Sequence, residues 1–167
     1  MSARAAAVKT REPELRRLLA ELSDPELPFL TLDDLGIIRW VRAGRHGVTV
    51  GLAPTYTGCP ALEVIEANVL QCLRDKGYAN ARIERVLAPP WTTDWISEAG
   101  RKKLLEHGIT PPRLTSRKAL PGGDAHVPCP RCASTDTVKV SQFGSTPCKA
   151  SYKCNACLEP FEYFKCL

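Results

Sequence analysis

Two cysteine hooks, Cys129-Pro130-Arg131-Cys132 and Cys154-Asn155-Ala156-Cys157, hold the densest ligand chemistry in this sequence. A Cys-x-x-Cys pair turns both sulfurs to the inside of a tight bend. Two such bends facing each other complete a tetrahedral four-sulfur site, which suits zinc. Residues 133–153 between the hooks suit a hairpin, with Thr137 to Gln142 running out and Ala150 to Lys153 running back. Four protein ligands leave no open position, so the chemistry expected of Cys129, Cys132, Cys154 and Cys157 is structural zinc. The same sulfurs could instead hold an iron–sulfur cluster. A thioredoxin-like dithiol fits poorly, because neither hook opens a helix after a strand.

Eight cysteines are present, so four lie outside the hooks. Cys59 is followed by Pro60, and proline belongs at the first position of a helix. That spacing predicts Cys59 at a helix N-cap, beside free backbone N–H groups and the positive end of the helix dipole, where a thiolate is favoured over a thiol. Such a sulfur can hold a metal or meet an electrophile; the bland reading is a partly buried cap residue. Cys148, in Phe143-Gly144-Ser145-Thr146-Pro147-Cys148-Lys149, falls in the turn between the hooks and reads equally as an extra sulfur for ligand exchange or as a small buried residue. Cys72 belongs to the apolar face of a helix, and Cys166 reads as incidental. Asp24 and Glu26 flank Pro25; paired carboxylates can bind a hard metal, but this pattern also serves as a helix stop and turn cap. His46, His107 and His126 have no partner at ligand spacing.

The elements that must position these groups follow from periodicity. Leu15, Leu18, Leu19 and Leu22 form one helical stripe, stopped by Ser23-Asp24-Pro25. Ile37 to Ala43 and Val48 to Ala53 read as a β-hairpin around Gly44-Arg45-His46-Gly47. Leu62, Ile65, Val69, Cys72 and Leu73 line the clearest helix, closed by Gly77. Ala81 to Ala88 reads as a third strand. A further helix is expected from a cap at Thr93 or Asp94 to about His107. Pro111-Pro112 opens an extended stretch that runs through Asp124. The expected organisation is an α+β domain over 11–112, a three-stranded sheet covered by helices, then a linker over 113–126 and a four-cysteine zinc ribbon of short strands over 127–167.

Composition narrows the function. A hydrophobic content of 44% is ordinary for a soluble globular protein. No apolar run approaches the roughly 20 residues that span a bilayer, and the segment from Met1 to Arg17 lacks the apolar stretch of a secretory signal. The expected location is cytoplasmic, where cysteine-rich sequences imply metal or redox chemistry rather than a disulfide framework. The net charge of +5 invites a nucleic-acid reading. Its distribution argues against one: Arg131, Lys139, Lys149, Lys153 and Lys165 stand against Asp136, Glu159 and Glu162, and zinc on four thiolates brings that ribbon to neutrality.

Several motifs together carry a resemblance. Asp24-Pro25-Glu26-Leu27-Pro28, Asp34-Leu35-Gly36-Ile37 and Pro54-Thr55-Tyr56-Thr57-Gly58-Cys59-Pro60 resemble the signature of the small domain shared by SufT-type iron–sulfur assembly and targeting factors. With the ribbon, and with Pro90-Trp91-Thr92-Thr93-Asp94-Trp95-Ile96 and Phe143-Gly144-Ser145-Thr146, residues 11–167 resemble the PaaD branch, whose members accompany the phenylacetyl-CoA 1,2-epoxidase of aerobic phenylacetate breakdown. That epoxidase is a di-iron oxygenase fed by a reductase carrying flavin and a [2Fe–2S] centre. The resemblance implies a non-catalytic accessory protein that assembles or delivers an iron or iron–sulfur centre to the oxygenase or reductase. It implies that Cys59 is the family's conspicuous cysteine, that Asp24 and Glu26 match its acidic motif, and that a labile cluster or iron accompanies the structural zinc. Cys148, or Cys59 of a second protomer in a homodimer, would supply a further sulfur. Two departures stand out: Ala133 follows the first hook where such ribbons usually place glycine, and Pro147 stiffens the turn before Cys148. The competing readings are a docking component with purely structural zinc and a nucleic-acid-binding zinc ribbon. A free-standing enzyme is not expected, since no catalytic triad or phosphate-cradling loop is legible.

Overall fold

The computed structural model describes residues 11–44, 47–56, 58–113 and 127–165. Thr57, His46, His126, Cys166 and residues 114–126 of the expected linker lie outside them. The chain forms two compact units, residues 1–91 and 92–167. The helix expected at the end of the first domain therefore groups with the ribbon.

The first unit is a three-stranded sheet in the order β1-β2-β3, with β1 Ile38–Gly44, β2 Gly47–Leu52 and β3 Arg82–Arg85. β1 and β2 pair antiparallel, as the hairpin pattern predicts, and β2 and β3 pair parallel. A parallel return needs a crossover, and helix α2 (Ala61–Asp75) supplies it. Leu62, Ile65, Val69 and Leu73 of α2 are buried, as are Val48, Val50 and Leu52 of β2. Cys72 stands at the margin of the apolar face, half-buried, and burial pushes its thiol up.

Helix α1 (Glu12–Ala20) buries Leu15 and Leu19. It also closes the outer edge of β1. The Glu12 carboxylate accepts from the Ala43 N–H at 2.9 Å, and the Arg16 guanidinium donates to the Ile38 carbonyl at 3.2 Å. An edge strand whose backbone groups are taken in this way is a poor template for further pairing. At the end of this unit the Trp91 indole N–H donates to the Leu35 carbonyl at 2.8 Å and is buried with it.

The second unit opens with a 3₁₀ turn, Thr93–Trp95, and helix α3, Glu98–Glu106. One continuous helix from Thr93 or Asp94 is not what forms. The Ser97 hydroxyl accepts from the Gly100 N–H at 2.9 Å and caps α3, while Thr92 caps the 3₁₀ turn. Arg101 donates to the Pro112 and Thr93 carbonyls, at 2.5 and 2.7 Å, and so ties both ends of this segment together.

The ribbon is a four-stranded sheet in the order β4-β7-β6-β5. β5 (Thr137–Ser141) and β6 (Lys149–Cys154) are the anticipated hairpin; β4 (Ile109–Thr110) and β7 (Pro160–Phe164) were not legible as strands. β4 pairs parallel with β7, which explains why α3 and its successor group with the ribbon. The Thr110 hydroxyl donates to the Pro128 carbonyl at 2.8 Å, fixing the approach to Cys129. Val127, Ala150, Tyr152, Phe161 and Tyr163 form the core with Cys129 and Cys154. The Tyr152 ring stacks on Phe161 and meets Tyr163 edge-on, centroids 5.7 and 5.8 Å apart.

A partly buried ion pair crosses this sheet. Lys149 is buried, and its ammonium lies 2.8 Å from the Glu162 carboxylate. The Ser145 N–H and hydroxyl also donate to Glu162, at 2.5 and 3.1 Å. A side chain at Gly144 would strike that carboxylate. The Phe143-Gly144-Ser145-Thr146 turn is thus a wrap around Glu162. Burial alone would raise the Glu162 carboxyl, but Lys149 and Ser145 outweigh it and hold it below the usual range. Glu162→Gln keeps the shape and strands the buried ammonium. It is expected to cost about 3 kcal/mol in chemical denaturation at neutral pH with zinc in excess.

Candidate functional site

Each hook is a knuckle closed by its own backbone. The Ala133 N–H donates to the Cys129 carbonyl and the Cys129 N–H to the Ser134 carbonyl, both at 2.9 Å. On the second hook the Cys154 N–H donates to the Glu159 carbonyl at 2.9 Å. The residue after each hook is left-handed: Ala133 has φ 60° and Leu158 φ 63°. The Ala133 position thus has the geometry that glycine serves at no cost, and Leu158 is its unanticipated counterpart. The hooks are joined by the Asn155 side chain donating to Asp136 at 2.8 Å and by an ion pair between Arg131 and Glu159.

The four sulfurs lie within 4.8 Å of one another. Cys129 and Cys157 approach to 3.7 Å, Cys132 and Cys154 to 3.6 Å. A tetrahedral zinc with Zn–S bonds of about 2.3 Å requires sulfur–sulfur edges of roughly 3.8 Å. The cage is therefore the right size for the ion, and the donor set is right for it. Cys129 and Cys154 are buried and Cys132 is exposed.

Protons alone satisfy this cage badly. The Cys157 N–H, helped by that of Ala156, hydrogen-bonds the Cys154 sulfur and brings its pKa down to about 7 against the pull of burial. At Cys157 the Glu159 N–H favours the thiolate, but burial and the sulfurs of Cys132, Cys154 and Cys129 outweigh it and push the thiol up to about 12. Cys132 is likewise raised, although the Ser134 N–H favours its thiolate. One sulfur ionises readily and makes ionisation of the others costly. A divalent cation removes that conflict.

Cys59 lies in the first unit, half-buried, in the turn just ahead of α2. The N-cap is Pro60 rather than Cys59, one position later than the proline rule suggests, because Pro60 already has helical angles that continue into Ala61. Cys59 remains part of the entry: its carbonyl accepts from the Leu62 N–H at 3.2 Å, and its own N–H donates to the Tyr56 carbonyl at 3.3 Å. Gly58, at φ 85°, has no atom near where a side chain would begin.

Asp24 is buried, and one carboxylate oxygen accepts from the N–H groups of Glu26 and Leu27, both at 2.9 Å. Asp34 and Thr31 cap each other's backbone at 3.0 and 3.1 Å. The acidic motif thus builds the turns between α1 and β1, and Glu26 is half-exposed on one of them. Cys148 is buried and is not part of the four-sulfur cage; its sulfur lies 3.0 Å from the Thr146 hydroxyl. No helix among the described residues is long and apolar enough to cross a membrane.

Residues 12–84 match the model of the iron–sulfur cluster assembly protein family, and residues 114–165 match that of the PaaD zinc beta ribbon domain. An Escherichia coli (strain K12) protein, named as the D component of a "Putative 1,2-phenylacetyl-CoA epoxidase", is 44% identical over 155 residues, covering 92% of each chain. An "Fe-S protein maturation auxiliary factor" of Porphyromonas gingivalis (strain ATCC BAA-308 / W83) is 34% identical over 95 residues, 56% of this chain and 90% of that one. The crystal structure of a domain of unknown function (DUF59) from Bacillus anthracis shares the fold, with TM-score 0.55 and 24% identity over 60% of this chain and 96% of that one. The chain belongs to the PaaD family, with an iron–sulfur assembly domain followed by a PaaD zinc ribbon.

The geometry of the cage makes two outcomes testable. Acidification from about pH 7 to about pH 5 hands protons to the ligand sulfurs, so zinc is expected to leave, followed with a chromogenic chelator, and the ribbon's tyrosine environment to be lost with it. Ala133→Gly is expected to relieve about 1 kcal/mol of left-handed strain and to slow chelator-driven zinc loss.

Proposed function

We propose that this protein is a non-catalytic maturation factor of a phenylacetyl-CoA epoxidase system, and that Cys59 holds iron or an iron–sulfur cluster as cargo for the oxygenase or reductase component. The observation that carries this reading is the half-buried Cys59 beside the uncrowded Gly58, inside the segment that matches the iron–sulfur assembly family. Transfer needs a ligand set that can be exchanged. The four hook sulfurs are a closed set; a single sulfur at a turn leaves the remaining positions on iron to be filled and vacated by others. A second copy of the chain supplies a second such sulfur in a homodimer. The burial of Cys148 against Thr146 supports packing rather than cargo binding, and the capping bonds of Asp24 support a structural role for the acidic motif. Zinc in the ribbon and a cytoplasmic location complete the reading.

A docking component with zinc alone is the second reading, favoured by the closed sulfur cage and by the relative named as part of an epoxidase. Cys59→Ser separates the two. On the maturation reading, epoxidase purified from cells making only the variant is expected to lose iron and roughly tenfold or more of its activity. The variant's own zinc content and thermal unfolding are expected to match the parent's. Normal iron and activity in the epoxidase would discard the cargo role and leave the docking reading.

A further inference from the structure

Among the described residues four strands form the sheet edges, and three of them are blunted. β1 is closed by Glu12 and Arg16 of α1. β3 is four residues, Arg-Ile-Glu-Arg, mostly charged. β4 is two residues long. β5 is different. It is the outer strand of the ribbon sheet, five residues of Thr-Val-Lys-Val-Ser, with Val138 47% and Val140 67% exposed and Phe143 62% exposed just beyond it. The register slips between Lys139 and Ser141, so no β6 residue stands opposite Val140. Bulges of this kind re-aim a side chain. An open edge carrying contiguous apolar side chains is what sheets normally avoid.

Lysines outnumber acids around this edge. Of the ribbon's acids, Glu162 pairs with Lys149 and Glu159 with Arg131, while Asp136, just before β5, accepts from the Asn155 amide. Lys139 sits between the two valines, Lys153 faces Val138 in register, and the Lys165 ammonium lies 4.7 Å from the Phe143 ring centre. A second copy is a poor occupant, because antiparallel self-pairing would bring lysines against lysines. We propose that the β5 edge docks an extended, acidic and apolar segment of a partner protein, which adds as a fifth strand with its apolar side chains on Val138, Val140 and Phe143 and its carboxylates on Lys139, Lys153 and Lys165. Main-chain hydrogen bonds supply affinity in this mode, and the side chains and charges supply selection. The inference goes beyond the cargo role of Cys59 and stands without it.

The test uses the full zinc-loaded chain and two synthetic peptides, one alternating valine with glutamate and one alternating valine with lysine. The Val–Glu peptide is expected to shift the amide NMR signals of residues 137–143 and protect them from exchange, with binding that weakens as salt rises. The Val–Lys peptide is expected not to bind. Val140→Lys and Lys153→Glu are each expected to weaken Val–Glu binding about tenfold at unchanged zinc content. Absence of binding by the Val–Glu peptide, equal binding by both peptides, or indifference to both substitutions would overturn the proposal. So would sedimentation showing a dimer that Val140→Lys dissolves, since that assigns the edge to a second copy. The Cys59→Ser variant binds the peptide as the parent does if docking and cargo handling are separate; loss of binding there overturns their independence.

Discussion

Closure of four sulfurs around one cation is the constraint on which the second unit rests. The core around the cage is small: three aromatic rings, Val127 and Ala150 beside two of the ligands themselves. Cys129 and Cys154 are at once ligands and core residues, so metal binding and packing are one event. The sheet is built to serve this. Thr110 holds Pro128 just before the first hook, Thr137 holds Val127 at 2.7 Å, and β6 ends on Cys154. Without the cation the same sulfurs compete for protons, with one pKa near 7 and another near 12. A core this size does not offset chain entropy with an unresolved charge conflict at its centre.

The first unit is stabilised differently. It buries an apolar layer from α1, α2, β1 and β2. That leaves its one conspicuous thiol outside the core. Cys59 precedes α2, the crossover that the parallel pairing of β2 and β3 demands. The fold therefore fixes where the turn lies, and Gly58 keeps it uncrowded. The chain thus carries a closed set of four sulfurs in the second unit and a single half-buried sulfur at the entry to α2 in the first.

Much of this was legible because the deciding signals are local. The hooks, the hairpin around residues 44–47 and the α2 stripe are set by spacing within a few residues, and each appears where the pattern puts it. What sequence could not give were long-range partners. β4 is two residues that become a strand only because β7 lies beside them, and so α3 falls with the ribbon rather than with the first sheet. The expected start at Thr93 or Asp94 falls inside a 3₁₀ turn capped by Thr92, and α3 itself begins after Ser97, whose hydroxyl caps it. Leu158 carried no signal at all, since nothing about leucine announces a left-handed residue. Its position after the second hook, matching Ala133 after the first, was the clue available.

The Lys149–Glu162 pair shows how the ribbon gains a fixed register without a large core. Register is already specified where one face of a strand is buried, and a charged pair at these positions adds a polar match to that pattern. A buried ammonium admits one solution, in which Glu162 faces it and the Ser145 N–H and hydroxyl fill the remaining acceptor sites. Slippage by one residue moves Glu162 to the opposite face and strands both charges. Gly144 is required by the same geometry, since any side chain there meets the carboxylate. The turn that delivers Phe143 to the open edge is therefore held by the ion pair behind it. The apolar edge of β5 is presented by a rigid element, and its exposure is a property of the fold rather than of a loose loop.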